Sequence, residues 1–501
     1  MTTALAPAAH RLFGTDGIRA PFGSYPLDRP TVTALAVELG TDLAAAGDRG
    51  GGGRGVDARR PRVVLGGDTR ASTPELCRWL AAGLAAAGVD TLDAGVIPTP
   101  GVAFLIRRRG AGAGIAVSAS HNPYPDNGIK LLDRDGFKWS EAAERALEEA
   151  VAVRLGGAPA PVGSAPPTAA AAEIAAADGP FATGSVAAGA WIAGGSTGDY
   201  DPDPGARADY LAALAASLPS ERPLAGLRVA LDPANGAASA YAGPLFARLG
   251  AAVSTLCAEP DGRNINLGCG STAPERLAAV VAAGGCDLGV AFDGDADRAI
   301  LVDEGGRVHD GDAILYLWAS ALRAAGELDP PTIAVTSMSN YGLEGALGRH
   351  GVGVVRCGVG DRQVVETMRR DGLLLGGEQS GHLVHLGLAT TGDGLLTAVQ
   401  VAAIVRRAGR PLSALLAPFR RFPQLLVNVR VAAKPPFESL PRVAAAARAV
   451  EAKLGDEGRL VLRYSGTELL ARVMVEGADQ AVIETLAEKL AAAIRAEIGE
   501  Q

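Results

Sequence analysis

The stretch Leu288-Gly289-Val290-Ala291-Phe292-Asp293-Gly294-Asp295-Ala296-Asp297-Arg298 sets an uncharged apolar run directly against three aspartates at alternate positions. Alternate residues share one side of an extended segment, whereas on a helix Asp295 would point away from Asp293 and Asp297. The spacing predicts a strand at 288–292 and a loop at its C-terminal end, where open α/β sheets bind ligands. Like charges about 4 Å apart repel by roughly 4 kcal/mol per pair at an effective dielectric of about 20, so three converging carboxylates call for a cation. Oxygen-only ligands select a hard ion, magnesium before zinc. Two other readings compete. An EF-hand loop also begins with alternating aspartates, and Glu304 falls at its twelfth position, but Arg298 stands at the sixth, where glycine is required. The other is a solvated acidic turn, which the apolar run before it disfavours.

Strand-like runs alternate with Ala/Leu-rich amphipathic stretches on both sides of this segment. Strands are predicted at 62–66, 113–118, 227–232 and 332–336, and helices at 74–88 and 237–250. Strand and helix in turn imply βαβ units and a mostly parallel sheet, repeated in several domains, since 501 residues exceed one hydrophobic core. Residues 422–501 change character: strands at 425–431, 460–463 and 469–476 precede a helix at 479–498, a small α+β domain. Residues 47–61 read as a flexible basic loop. Residues 156–205, rich in Ala, Pro and Gly, read as a disordered linker or insertion, with a functional lid as the alternative. The expected division is a first domain at 1–155, the linker at 156–205, and domains at 206–303, 304–421 and 422–501.

Three further motifs carry polar groups. Ser118-Ala119-Ser120-His121-Asn122-Pro123 runs on through Asp126-Asn127-Gly128-Ile129-Lys130. Adjacent residues of an extended chain point to opposite sides and no G-x-S-x-G elbow frames the serine, so a hydrolase is disfavoured. Alone it reads as a polar turn fixed by Asn-Pro. Beside a hard cation and basic residues, it reads as a hydroxyl able to carry a phosphoryl group. Gly376-Gly377-Glu378-Gln379-Ser380-Gly381-His382 is either a plain glycine turn or one presenting Glu and Ser to sugar hydroxyls. A zinc site at His382 and His385 lacks further nearby ligands. Arg463-Tyr464-Ser465-Gly466-Thr467-Glu468, with Arg472 beyond, is a hairpin turn or an anion-binding nest, and two flanking arginines favour phosphate.

Composition narrows the partners. Hydrophobic residues at 48% and charged residues at 20% are ordinary for a globular protein. A net charge of -8 argues against nucleic acid or an acidic membrane, while leaving room for a small phosphorylated substrate. The five cysteines are scattered, with no CxxC pair, and suggest neither a disulfide framework nor a zinc site. Residues 1–10 lack the basic flank and apolar core of a signal peptide, and no run of about 20 uncharged apolar residues is present to span a bilayer. A cytoplasmic location is expected.

Together with Phe13-Gly14-Thr15-Asp16-Gly17-Ile18-Arg19, these motifs resemble, in order, the α-D-phosphohexomutase superfamily and within it the bacterial phosphoglucosamine mutases. The resemblance implies an α/β architecture of four domains around a central cleft: three βα domains with mixed sheets and a smaller α+β domain that closes over the substrate. By it, Ser120 matches the phosphoserine position and Ser118 does not. Asp293, Asp295 and Asp297 match the ligands of one Mg2+, with Ser120 supplying a further oxygen. Arg19, His121 and Lys130 match basic residues near the phosphoryl group, Lys130 being the candidate general acid/base. Glu378 and Ser380 match sugar-hydroxyl contacts, while Arg463, Ser465, Gly466, Thr467 and Arg472 match a distal phosphate site; Arg298 is placed among the substrate-binding residues. Gln379, Asn264-Ile265-Asn266 and Cys269-Gly270-Ser271-Thr272 look like the glucosamine branch. Phosphomannomutase/phosphoglucomutase relatives usually carry Met or Glu at the position of Gln379. Ala20, Gly358 and Leu469 depart from the usual pattern, and the two insertions exceed the usual length. The implied reaction interconverts glucosamine 6-phosphate and glucosamine 1-phosphate through a phosphoserine and a bound sugar bisphosphate, which also acts as activator. A phosphomannomutase/phosphoglucomutase and a non-catalytic sugar-phosphate sensor are the alternatives. The expected partner is a small hexosamine phosphate serving amino-sugar and cell-wall precursor synthesis, for a monomer or homodimer that binds neither nucleic acid nor membrane.

Overall fold

In the computed structural model of the chain, residues 11–14, 16–49, 60–156, 198–465 and 468–499 are described. Most of the 47–61 loop and residues 157–197 of the expected linker lie outside them, as do Thr15, Gly466 and Thr467.

The Leu288–Phe292 strand is buried along its whole length, which is why its sequence is an unbroken apolar run rather than an alternating one. It pairs in parallel with Arg228–Asp232 on one side and antiparallel with Ala299–Asp303 on the other, Phe292 opposite Ala299. The aspartates thus fill the connection of an antiparallel pair. Ala252–Thr255 and Val308–His309 complete this five-stranded second sheet.

The expectation of mostly parallel sheets is corrected to parallel centres with antiparallel additions. In the seven-stranded first sheet, Arg62–Gly67 lies parallel to Ala113–Val117 and to Asp90–Val96, while Asp126–Asp133 returns antiparallel beside Ala113–Val117. In the third, Thr332–Thr336 lies parallel to Gly353–Cys357 and Leu375–Gly377, and Leu383–His385 returns antiparallel. A parallel crossover carries the chain away from the strand end, whereas an antiparallel return holds the connecting loop there. Each of the first three sheets uses that return to present one motif. The three-stranded fourth sheet does the same between Gly458–Tyr464 and Leu470–Gly477.

Two other expectations change. The single helix expected at 237–250 is a 3-10 turn, Ala237–Ala240, followed by the helix Ala242–Arg248. The break follows a tether: Ala237 N donates to Gly294 O at 2.8 Å, and a Cβ on Gly236 would stand 2.3 Å from that oxygen. The end of the stretch read as linker forms the edge strand Tyr200–Pro202 of the first sheet, Tyr200 opposite Thr91. Pro202 is tolerated there because an edge strand leaves one side unpaired.

One hydrophobic core runs through the first three sheets, joining Ile106, Tyr210, Phe246, Trp318 and Leu396 among others. A second core fills the other face of the first sheet. The fourth sheet packs separately on the helices Pro441–Leu454 and Gln480–Ile498. It meets the third domain through Arg459, which donates to Ser337 O and Ser339 O, each at 2.8 Å, and through Glu476, which accepts from Tyr341 N at 2.9 Å. Among the described residues no helix is long and apolar enough to cross a membrane.

Candidate active site

The motif loops of the first three sheets meet at one point. The Ala113–Val117 strand leads into Ser120, which has a φ of 52°, the left-handed region that side chains rarely enter. Its Oγ is buried and donates to Asp293 Oδ2 at 2.5 Å, across 173 residues of sequence. Asp293, Asp295 and Asp297 are all buried, and one ligand oxygen from each lies within 4.8 Å of the others.

The serine loop is gripped from behind. Ser120 N donates to Ser118 Oγ at 2.9 Å, and Ser118 Oγ donates to Asp68 Oδ2 at 2.7 Å. Arg70, only 1% exposed, pairs with Asp68 at 2.9 Å. It also donates to the carbonyls of Ser120, Asn122 and Pro123 at 3.2, 2.9 and 2.6 Å. Asn266 Nδ2 adds bonds to Ser120 O and Asn122 O at 2.9 and 3.0 Å. A buried guanidinium is costly unless its donors are satisfied, so Arg70 stays only while this loop keeps its shape.

Lys130, on the returning Asp126–Asp133 strand, donates from Nζ to Asp295 Oδ2 at 2.7 Å and Asp297 Oδ2 at 3.0 Å. Burial opposes its charge, but Asp16, Asp295 and Asp297 outweigh it and hold its pKa well above the ordinary lysine value. Burial likewise opposes ionisation of Asp297, and Lys130 and His382 outweigh it to keep that pKa well below the ordinary one. Asp293 goes the other way, pushed well up by burial and by the charges of Asp297 and Asp295. Asp295 Oδ1 and Asp297 Oδ1 remain buried with no hydrogen-bond partner. Orphaned carboxylate oxygens in an all-oxygen donor set fit a hard divalent cation.

The other first-domain residues stand around this centre. Arg19 donates to Ser118 O and, at 2.7 Å, to Asp16 Oδ2. His121 is exposed at the rim, its pKa lowered by partial burial and by Arg298. Arg298 N donates to Asp293 Oδ1 at 3.1 Å, and its guanidinium lies 3.8 Å from Asp297. The Glu378–His382 loop abuts the aspartate loop, Ala299 N donating to Gly381 O at 3.1 Å. Glu378 accepts from Gly360 N at 3.1 Å, and Ser380 is exposed. Gln379 Nε2 donates to Asp312 at 3.2 Å.

The fourth motif is built differently. Arg463 and Arg472 face each other across the antiparallel pair, a like-charge placement that costs energy unless an anion sits between. Arg472 Nε is buried without a partner, and Lys434 Nζ donates to Ser465 O at 2.6 Å. Gly466 and Thr467 lie outside the described residues. Among the described residues no hydrogen bond or ion pair joins this loop to Ser120 or the aspartates.

Comparison with known proteins decides the family. Four models described as phosphoglucomutase/phosphomannomutase match in order: alpha/beta/alpha domain I at residues 10–154, domain II at 208–306, domain III at 310–422 and the C-terminal domain at 426–493. The phosphoglucosamine mutase of Solibacter usitatus is 44% identical over 98% of this chain and 100% of its own length. That of Syntrophotalea carbinolica is 42% identical over 98% of both. The chain belongs to the bacterial phosphoglucosamine mutases, within the phosphohexomutase superfamily. It is therefore an isomerase, an intramolecular phosphotransferase. A phosphoglucomutase/phosphomannomutase family protein from Burkholderia thailandensis shares the fold at a TM-score of 0.74 and 23% identity, over 98% of this chain and 99% of that one. The N-acetylphosphoglucosamine mutase of Aspergillus fumigatus, solved with GlcNAc-6P and magnesium, aligns at a TM-score of 0.59 and 18% identity, over 97% of this chain and 95% of that one.

Several residues of this mutase escaped the sequence reading. Thr99 Oγ1 donates to Asp295 Oδ2 at 2.5 Å. Lys138 bridges Asp16 of the first domain and Asp361 of the third. His382, weighed only as a zinc ligand, has Nε2 3.1 Å from Gly392 N and Nδ1 3.6 Å from Asp297. Asp68 and Arg70 did carry a signal: Gly66-Gly67-Asp68-Thr69-Arg70 follows a predicted strand, the same strand-then-acid pattern that marked Asp293.

Proposed function

We propose that this enzyme interconverts glucosamine 6-phosphate and glucosamine 1-phosphate, with Ser120 as the phosphoryl carrier. The observation that carries the reading is the Ser120 Oγ–Asp293 contact of 2.5 Å inside a buried cluster of three aspartates and Lys130. The name shared by the relatives supports the choice of sugar.

Asp293, Asp295, Asp297 and the oxygen on Ser120 would hold a magnesium ion, which when bound neutralises charge on the transferring phosphoryl group. Ser120, fixed by Arg70 and Asn266, presents its oxygen in one direction, so the sugar and not the protein must move between half-reactions. Phosphorylated Ser120 gives its phosphoryl group to the free hydroxyl of the bound monophosphate, and the serine oxygen keeps the bond electrons. Lys130, held as the ammonium, stabilises charge, gives a proton to the departing serine oxygen and takes the one the attacking hydroxyl releases, so that it ends as the ammonium again. The resulting bisphosphate turns end for end, with its other phosphate against Arg463, Ser465, Gly466, Thr467 and Arg472. Ser120 then takes the phosphoryl group from the opposite end. Glu378 and Ser380 hold sugar hydroxyls, while Arg19, His121 and Arg298 line the phosphoryl path. Domain limits near residues 155, 206, 304 and 422, a cytoplasmic location and a monomer or homodimer complete the proposal.

A panel of glucosamine 1-phosphate, glucose 1-phosphate and mannose 1-phosphate tests it. The highest kcat/KM is expected for glucosamine 1-phosphate; a higher value for mannose or glucose 1-phosphate would transfer the enzyme to the phosphomannomutase/phosphoglucomutase activity.

A further inference from the structure

The second sheet carries another set of ligating groups beside the aspartate loop, with different chemistry. Asp232 ends the Arg228–Asp232 strand, Cys257 follows the neighbouring Ala252–Thr255 strand, and Cys269 lies in the loop that comes next. Parallel pairing of the two strands brings their C-terminal ends level, Leu231 opposite Thr255. One ligand atom each from Asp232, Cys257 and Cys269 falls within 4.8 Å of the others. A tetrahedral zinc ion, about 2.3 Å from sulfur and 2.0–2.2 Å from oxygen, sets its ligands roughly 3.5–3.8 Å apart, so closing this spread takes at most about 1 Å. Asp232 and Cys269 are fully buried and Cys257 is partly exposed, which leaves one open side for entry. The carboxylate is already oriented, Oδ1 accepting from Ala234 N and Oδ2 from Gly270 N, both at 2.9 Å, and each oxygen keeps a lone pair. Asn235 Nδ2 approaches Cys269 Sγ at 3.9 Å from behind.

We propose that Asp232, Cys257 and Cys269 form a second metal site, for a thiophilic divalent cation of the zinc class. Two sulfurs and one carboxylate select a soft or borderline ion over magnesium, the reverse of the all-oxygen aspartate cluster. Each thiol gives up its proton to solvent as its sulfur–metal bond forms, and a water completes the fourth position. Arg276, exposed and donating to Cys257 Sγ at 3.6 Å, swings aside as the ion enters. The loop that holds Cys269 also braces the serine motif. Asn266 bonds Ser120 O and Asn122 O, and Ser271 N donates to Phe292 O at 2.8 Å, directly before Asp293. A bound ion therefore pins the support under Ser120 without touching the substrate.

The test is a cadmium(II) titration of the reduced full-length protein in saturating magnesium, followed by the ultraviolet sulfur-to-cadmium charge-transfer band. One cadmium per chain is expected, displaced by zinc and unaffected by magnesium. Cys257→Ala and Cys269→Ala, each checked for folding by circular dichroism, should bind at least about tenfold more weakly, the least expected when a direct ligand is lost. Cys77→Ala, Cys286→Ala and Cys357→Ala should keep the wild-type band. Absence of a saturable band, or its persistence in both Cys257→Ala and Cys269→Ala, would overturn the assignment. So would a reduced protein that binds no cadmium yet loses two thiols to a Cys257–Cys269 disulfide under mild oxidation.

Discussion

Around Ser120 the three aspartates and Lys130 are buried and tied to one another between the first two domains, with His382 of the third 3.6 Å from Asp297; around Ser465 the flanking Arg463 is exposed and Arg472 keeps a buried nitrogen unpaired. The first region shares one continuous core, while the second belongs to a small domain with its own. The difference follows from what each end has to do. Phosphoryl transfer depends on fixed dipoles and charges at one place, because reorganising them during reaction costs rate. Docking the far phosphate of a sugar that turns around calls only for a strong, adjustable anion grip, which paired arginines supply.

That contrast is open to attack by mutation. Ser120→Ala should lower kcat on the order of 10⁴-fold or more, as removal of a covalent nucleophile does elsewhere, while the thermal midpoint stays near wild type. Wild-type turnover in that variant would end the covalent route. Asp295→Asn should lower kcat about 10²–10³-fold and raise the magnesium needed for half-maximal rate, read from a metal titration. Arg472→Gln, at the docking end, should instead raise KM roughly 10–100-fold with kcat little changed, since a charged hydrogen bond contributes about 1.5–3 kcal/mol and is made equally in ground and transition states. A fall in kcat at constant KM there would erase the distinction between the two regions.

The smallest effect concerns the support of the reaction centre. Asp393 caps the Gly394–Ala408 helix, whose first amide donates to Ala296 O at 2.9 Å inside the aspartate loop. Burial pushes its pKa up to about 6. A carboxyl with a raised folded-state pKa binds its proton more tightly when folded, so its contribution to stability is full below about pH 4 and is lost as pH rises through about 6. The shift corresponds to roughly 3 kcal/mol. Between about pH 4 and 7 the wild type should therefore lose stability relative to Asp393→Asn, measured by urea unfolding at each pH. Parallel curves for the two proteins would refute the role given to this burial.

Much of this was legible before any coordinates because local pattern and tertiary role coincided. Residues 288–292 and 333–335 are apolar because both faces of those strands are covered, and the predicted strands at 288–292 and 332–336 match the observed bounds. Where roles conflict with pattern, reading failed. Asp126–Asp133 begins with Asp-Asn-Gly, a turn signal, yet it is a buried strand, because Asp126 accepts from Asn122 and Gly128 O from Ser118 N in the serine loop, while Lys130 reaches the aspartates. Arg70 supports Ser120 across 50 residues, and such a contact leaves no trace in spacing. Tyr200–Pro202 was lost in a low-complexity stretch because a three-residue edge strand is too short to show a period.

The direct measurement is the fate of the phosphate on Ser120. Enzyme carrying radiolabelled phosphate on that serine is mixed with unlabelled glucosamine 6-phosphate, and label is followed on protein and sugar through the first turnovers. Transfer of the label into sugar phosphate at the rate of turnover is predicted. Product forming while the label stays on the protein would contradict the covalent route.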